Sequence, residues 1–219
     1  MLYYNTVNDI LKNSLQLVMQ AEIFTSFRLV GGTALSLHLG HRESVDIDLF
    51  SDAQYGSVDF EAITEFLKSN FNYVDHLANV LPAMGKSFII GNNETQAVKL
   101  DVFYTDPFIH DIVYTDNIRL ASVEEIIAMK IDVIQRGGRK KDFWDLHEIL
   151  DNYSIAQMIA LHKQRYPWGH EAELIVHNLI DFTKADNDFD PVCLRGKHWE
   201  FIKADFEDEV NQNYQTLTT

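Results

Sequence analysis

Residues 29–50, LVGGTALSLHLGHRESVDIDLF, decide how the chain is read. An apolar run enters a Gly31-Gly32-Thr33 turn and the helix-prone segment TALSLHL follows. The stretch closes on VDIDLF, a short strand pattern in which two aspartates flank one isoleucine. Residues i and i+2 of a strand share a face, so Asp46 and Asp48 project side by side while Val45, Ile47 and Leu49 face the other way. Two adjacent carboxylates repel and cannot both stay ionised in a dry core. Either the strand has a wet polar face, as antiparallel sheets allow, or a divalent cation neutralises the pair. Mg2+ suits the second case, because it is held by one or two carboxylates with substrate phosphates supplying further oxygens.

Two features outside the pair favour the cation. Gly31-Gly32-Thr33 stands at a strand-to-helix turn, where glycine permits close backbone approach and the free N–H groups of a helix start can hold a phosphate. The plainer reading of the same residues is a tight turn. Asp101 lies in the apolar strand pattern VKLDVFY with Lys99 two residues earlier on the same face. Buried without a partner it would cost several kcal/mol, and a shared metal ion gives it one.

The rest of the chain supplies the layers. Val7, Ile10, Leu11, Leu15, Leu17 and Val18 recur at helical spacing and predict an amphipathic helix over residues 6–22. Strands are predicted at 27–30, 45–50, 86–91 and 97–104, with a helix over 58–71 between them. Ser122 and Glu125 form a capping-box signature ahead of SVEEIIAMKIDVIQR, which Gly137-Gly138 ends. KDFWDLHEIL, SIAQMIALHKQRY (opened by a Ser154/Gln157 box), EAELIVHNLIDF and KHWEFIKADFEDEVNQN continue as helices. The expectation is an α/β (α+β) core with a short mixed sheet over residues 1–121 and a helical region packed on it over 122–219.

Composition narrows the function classes. With 219 residues, 46% of them hydrophobic, the chain can bury an ordinary core. Its single cysteine, Cys193, excludes an internal disulfide framework and a multi-cysteine zinc site. No leader pattern opens MLYYNTVNDILKNSL, and no apolar run nears the roughly 20 residues that span a bilayer. A cytoplasmic protein without membrane contact is expected. A net charge of −15 argues against a uniformly basic nucleic-acid surface, so any RNA contact must be local. QRGGRKK, with Arg136, Arg139, Lys140 and Lys141, is the concentrated basic segment.

The helix around residues 123–136 places Lys130 at the centre of an apolar arc made by Val123, Ile126, Ile127 and Ile134. It either snorkels at the core edge or reaches for the carboxylates or a triphosphate. Asp142 and Asp145 stand three apart on one flank of the next helix. Nine histidines are scattered without a metal-binding spacing, apart from His38 and His41, which fall close to the site, and those two also read first as core or surface residues. The aromatics of the C-terminal half suit core packing, and DFEDEV suits a solvated helix face.

Gly31-Gly32-Thr33, Asp46-Ile47-Asp48 and Asp101, in that order and at that spacing, resemble the signature of the polymerase-β-like nucleotidyltransferase superfamily. Lys130, Arg136, Arg139, Lys140, Asp142 and Asp145 extend the likeness to the AbiEii/AbiGii toxin family, over about residues 25–150. The resemblance implies that Asp46, Asp48 and Asp101 bind Mg2+ or Mn2+, with Asp101 also helping to deprotonate the attacking hydroxyl. It implies that Gly31, Gly32 and Thr33 hold the phosphates of a nucleoside triphosphate, the threonine hydroxyl standing in for a serine, and that Lys130 contacts the triphosphate. Asp142 or Asp145 would orient Lys130 or the acceptor. The implied reaction is in-line transfer of a nucleoside monophosphate to an acceptor hydroxyl, an RNA (tRNA) end, by a toxin with a cognate antitoxin or by a phage-defence protein. Two alternatives stay open: the same chemistry on a protein or small-molecule acceptor, and a catalytically silent fold that only binds a partner.

Overall fold

The computed structural model describes residues 1–76 and 84–217. Its elements run α1 (Asp9–Gln20), β1 (Arg28–Leu29), α2 (Gly31–Leu39), β2 (Asp46–Ser51), α3 (Phe60–Asn70), β3 (Tyr73–His76), β4 (Gly85–Asn93), β5 (Gln96–Tyr104), β6 (Val113–Thr115) and β7 (Ile118–Leu120). The helices α4 (Val123–Gln135), α5 (Lys140–Ile149), α6 (Ile155–Arg165), α7 (Ala172–Asn178) and α8 (Trp199–Leu217) follow. They form two compact units: Met1–Gly40 with Ser44–Ser122, and His41–Glu43 with Val123–Thr219.

The first unit carries a mixed sheet in the order β3-β4-β5-β2-β1-β7-β6. β2 runs parallel to β5 and β1 parallel to β7, while the remaining pairs are antiparallel. Helix α1 lies against the sheet, burying Leu11, Leu15 and Val18 on the side where Ile47, Leu49 and Leu100 are also fully buried. It starts later than the apolar spacing suggests because the Asn8 side chain caps it, accepting from the Leu11 N–H at 2.8 Å. Beyond its end, buried Arg119 of β7 donates to the carbonyls of Phe27 (2.9 Å), Met19 (2.9 Å) and Phe24 (2.8 Å), the last of which also accepts from the Phe27 N–H at 3.0 Å. The β6–β7 hairpin, absent from the predicted strands, turns on Asp116 and Asn117 at φ 54° and 62°. That Asx pair at positive φ is a hairpin signal; the strands themselves are too short to show a period.

In the second unit α4 packs on α5, α6 and α7, and α8 packs on α5, α6 and α7. The Phe143 ring sits 5.2 Å from Phe182 and 5.8 Å from both Trp199 and Phe206, so these aromatics fill the helical core as their spacing suggests. Ser154 and Gln157 form the predicted box at the start of α6. Glu125, read from sequence as a capping residue, is fully buried with its carboxylate on Arg165. The helix predicted over 171–182 ends at Asn178, and α8 begins at Trp199.

The basic segment departs from expectation. Lys140 is buried, bonded to Asp190 at 2.9 Å, with its ammonium 5.4 Å from the Trp199 ring centre. Arg136 pairs with Asp132, and Arg139 lies 3.4 Å from Asp142. Helix packing has turned part of the strip inward and matched its other members with carboxylates, so it is not a free row of cations.

Candidate active site

Strand register brings the acidic residues of the first unit together. Asp48 of β2 stands directly beside Asp101 of β5, and Asp46 stands beside Lys99. Cross-strand partners share a face, so three carboxylates and one ammonium form a patch on the side opposite buried Ile47, Leu49, Leu100 and Val102. All four polar residues are half-buried. Lys99 Nζ bonds Asp101 Oδ2 at 2.5 Å. Burial pushes the Lys99 ammonium down, but that hydrogen bond and the fields of Asp101, Asp48 and Asp46 outweigh it and hold it above the usual lysine range. Lys99 is thus the internal counter-ion of the patch.

Asp101 Oδ1 is buried and has no hydrogen-bond partner among the described residues. Such an atom is costly unless something else binds it. Hard carboxylate oxygens suit Mg2+ or Mn2+, so donor chemistry and the orphaned oxygen both fit a divalent cation. The patch is not a finished cage, for among the described residues no three His, Cys, Asp or Glu side chains converge on one metal position.

The glycine turn lies against this patch. Gly31 has φ +67°, a conformation that side chains disfavour, and a Cβ there would lie 2.7 Å from Asp48 Oδ2. Only glycine lets the first turn of α2 come so near the carboxylate. No side chain caps the N-terminus of α2, so the first N–H groups of Gly31-Gly32-Thr33 lack a capping partner, as an anion-binding helix start requires. The Thr33 hydroxyl is already engaged: it is buried, bonds the Asp46 carbonyl and lies 2.8 Å from Ser44 Oγ. Its task is to tie α2 to β2, and a phosphate would meet the threonine's N–H instead.

The second unit carries the other predicted residues in one buried cluster. Lys130 Nζ sits 2.6 Å from Asp142 Oδ1 and 2.7 Å from Asp145 Oδ2. Arg42 joins through Nε to Asp145 Oδ1 (2.6 Å) and Nη2 to Oδ2 (2.8 Å), and His41 Nε2 lies 2.7 Å from Oδ1. Burial pushes both carboxyls up, but Lys130 and Arg42 beside Asp145, with hydrogen bonds from His41 and Arg42, hold it well below the usual carboxylate range. Asp142 is lowered by Lys130 and Arg139. Burial opposes the Lys130 charge, yet the two carboxylates keep its ammonium above the ordinary lysine range. Neither snorkelling nor solvent explains Lys130: it is one member of an ion cluster. The sequence reading missed Arg42 and gave His41 only a packing role. The available signal was arithmetic, since two carboxylates flanking one lysine need another cation. His38 lies elsewhere, its Nε2 2.9 Å from the Ala121 carbonyl.

A family model described as the nucleotidyl transferase AbiEii toxin of a type IV toxin–antitoxin system matches residues 15–217. An uncharacterised protein of Aquifex aeolicus is 25% identical over 215 residues, 92% of this chain and 94% of that protein. Among solved structures, JHP933 from Helicobacter pylori aligns with a TM-score of 0.61 at 16% identity, over 98% of this chain and 93% of its own. MenT4, a nucleotidyltransferase toxin from Mycobacterium tuberculosis, aligns with a TM-score of 0.50 at 14% identity, over 89% and 83%. At these identities the structural likenesses establish the fold.

Proposed function

The chain belongs to the AbiEii nucleotidyltransferase toxin family, and from that premise we propose a divalent-metal-dependent enzyme that moves a nucleoside monophosphate from a nucleoside triphosphate to the hydroxyl of an RNA end such as that of tRNA. The observation that carries the reading is the register of Asp48 with Asp101, with Asp46 on the same face and the uncapped glycine turn against Asp48.

In this reading Asp46, Asp48 and Asp101 hold Mg2+ or Mn2+, which when bound neutralises charge on the attacking and leaving oxygens. Asp101 would also help to deprotonate the attacking hydroxyl. The N–H groups of Gly31, Gly32 and Thr33 would orient the triphosphate. Lys130, oriented by Asp142 and Asp145, is the ammonium that the second unit offers a phosphate. A bound cation would take the place that Lys99 holds beside Asp101. Membership of a type IV toxin–antitoxin family implies a cognate antitoxin. Among the described residues no helix is long and apolar enough to cross a membrane.

A second reading changes only the acceptor, to a protein side chain or a small molecule. The internal pairing of Lys140, Arg136 and Arg139 favours it, because an RNA backbone needs unpaired cations. Purified protein incubated with Mg2+, labelled nucleoside triphosphates, total tRNA and cell extract separates the readings. Label on RNA that Asp46→Ala abolishes supports the first, and label on protein or metabolite supports the second. No labelled product from either protein would leave a silent, partner-binding fold.

A further inference from the structure

The buried cluster of the second unit divides its labour unequally. A carboxylate offers about four lone-pair positions, and those of Asp145 are all taken. Oδ1 accepts from His41 Nε2 and Arg42 Nε, and Oδ2 accepts from Arg42 Nη2 and Lys130 Nζ. Asp145, fully buried, therefore has no oxygen free to bind a metal ion or take a proton. Asp142 uses Oδ1 on Lys130 and Oδ2 on the Arg139 backbone N–H at 3.1 Å. Lys130 has three ammonium hydrogens, two of which meet these carboxylates, leaving one for a ligand.

Arg42 is fixed from several sides. Its side chain is 4% exposed, and Nη1 donates to the Glu43 carbonyl at 2.8 Å. Its backbone is bridged to Cys193, the Glu43 N–H reaching the Val192 carbonyl (2.9 Å) and the Leu194 N–H the His41 carbonyl (2.8 Å). His41 is fully buried, and its Nδ1 has no partner among the described residues, which places the ring proton on Nε2 facing Asp145. Without Arg42, Lys130 would be the one buried cation on these two buried carboxylates, because Arg139, 3.4 Å from Asp142, is 59% exposed; the buried part of the cluster would then carry a net charge of −1, which draws the ammonium inward and repels an anion. Arg42 brings Lys130, Arg42, Asp142 and Asp145 to zero.

We propose that Arg42, seated by the His41–Glu43 bridge, is a positioning residue: through Asp145 it balances and orients Lys130 so that the remaining N–H of Lys130 can serve an anionic ligand, the triphosphate. The proposal rests on the nucleotidyltransferase reading above. Arg42 meets no substrate itself, and its loss changes phosphate binding more than chemistry.

The test titrates tripolyphosphate and a nucleoside triphosphate with Mg2+ into the full chain by calorimetry, for wild type, R42Q and the double variant R42M/D145L. R42Q is expected to bind tripolyphosphate at least tenfold more weakly and to raise KM in parallel, while kcat changes less than threefold. Replacing a buried ion pair by apolar side chains is often neutral or stabilising, so the double variant keeps the fold even if R42Q loses it. It is expected to melt near wild type and, although Lys130 and Asp142 are again neutral together, to bind tripolyphosphate weakly, because Asp145 no longer orients the Lys130 ammonium. Wild-type affinity in the folded double variant overturns the proposal, as does an R42Q that loses kcat with KM unchanged. A wild type that binds neither ligand overturns the nucleotidyltransferase reading itself and this inference with it.

Discussion

Asp48 and Asp101 stand opposite each other on neighbouring parallel strands, on the sheet face away from the apolar core, and Lys99 bonds the second of them. Like charges at that separation oppose folding. Asp101→Asn, which removes one of them without changing volume, is expected to abolish nucleotide transfer while leaving the thermal midpoint unchanged or higher. It should also lose the rise in melting temperature that Mg2+ with a nucleoside triphosphate gives the wild type. A variant that melts earlier and still transfers would remove Asp101 from the site.

Gly31→Ala places a methyl group 2.7 Å from Asp48 Oδ2 at a residue with φ +67°. The left-handed conformation alone costs about 1–2 kcal/mol in a non-glycine residue. The variant is expected to melt several degrees lower and to lose ligand-induced stabilisation, because Asp48 must move aside. Scanning calorimetry with and without ligand reads both effects.

Arg119→Met strips three backbone carbonyls of their shared donor. Hydrogen bonds to charged groups contribute about 1.5–3 kcal/mol each and are not additive, so a loss of at least about 3 kcal/mol in urea unfolding is expected. Nucleotide affinity of the protein that remains folded should be unchanged.

Acidification should destabilise the chain through His162. Burial, and then the charge of Arg136, push its imidazole down from 6.5 to about 4. The unfolded chain therefore binds a proton between those values that the folded chain refuses, so stability falls as pH drops from above 6.5 towards 4. The full effect is about 3 kcal/mol. Urea midpoints at pH 7.5 and 5 check it; His162→Asn should flatten the slope over that window, and an unaltered slope would assign it to other groups.

Charge reversal separates the two members of the basic segment. Lys140→Glu buries an anion beside Asp190 and Trp199 and is expected to prevent folding. Arg136→Glu, at a side chain 70% exposed, should preserve the fold. If RNA is the acceptor, it should weaken RNA labelling and make it less salt-sensitive; unchanged labelling would move the RNA contact elsewhere.

Local pattern alone carried the candidate site. The i, i+2 spacing of Asp46 and Asp48, the glycine pair before a helix and an aspartate isolated in an apolar strand are properties of neighbouring residues, and strand periodicity converts them into a shared face. The same holds for the main helices and for β2, β4 and β5, whose periods are long enough to read; two-residue β1 was marked by its apolar run, and β3 was not among the predicted strands. The hairpin of β6 and β7 was too short to show a period, and only its Asp116-Asn117 turn marks it. What tertiary structure alone decided are pairings between residues distant in sequence. These include the register that sets Asp48 against Asp101, the inward turn of Lys140, the pairing of Glu125 with Arg165, and Arg42 meeting Asp145 across 103 positions. A buried charge states in the sequence that it needs a partner, because the dielectric penalty is local. Which partner it finds depends on how the helices pack, and no spacing along the chain records that.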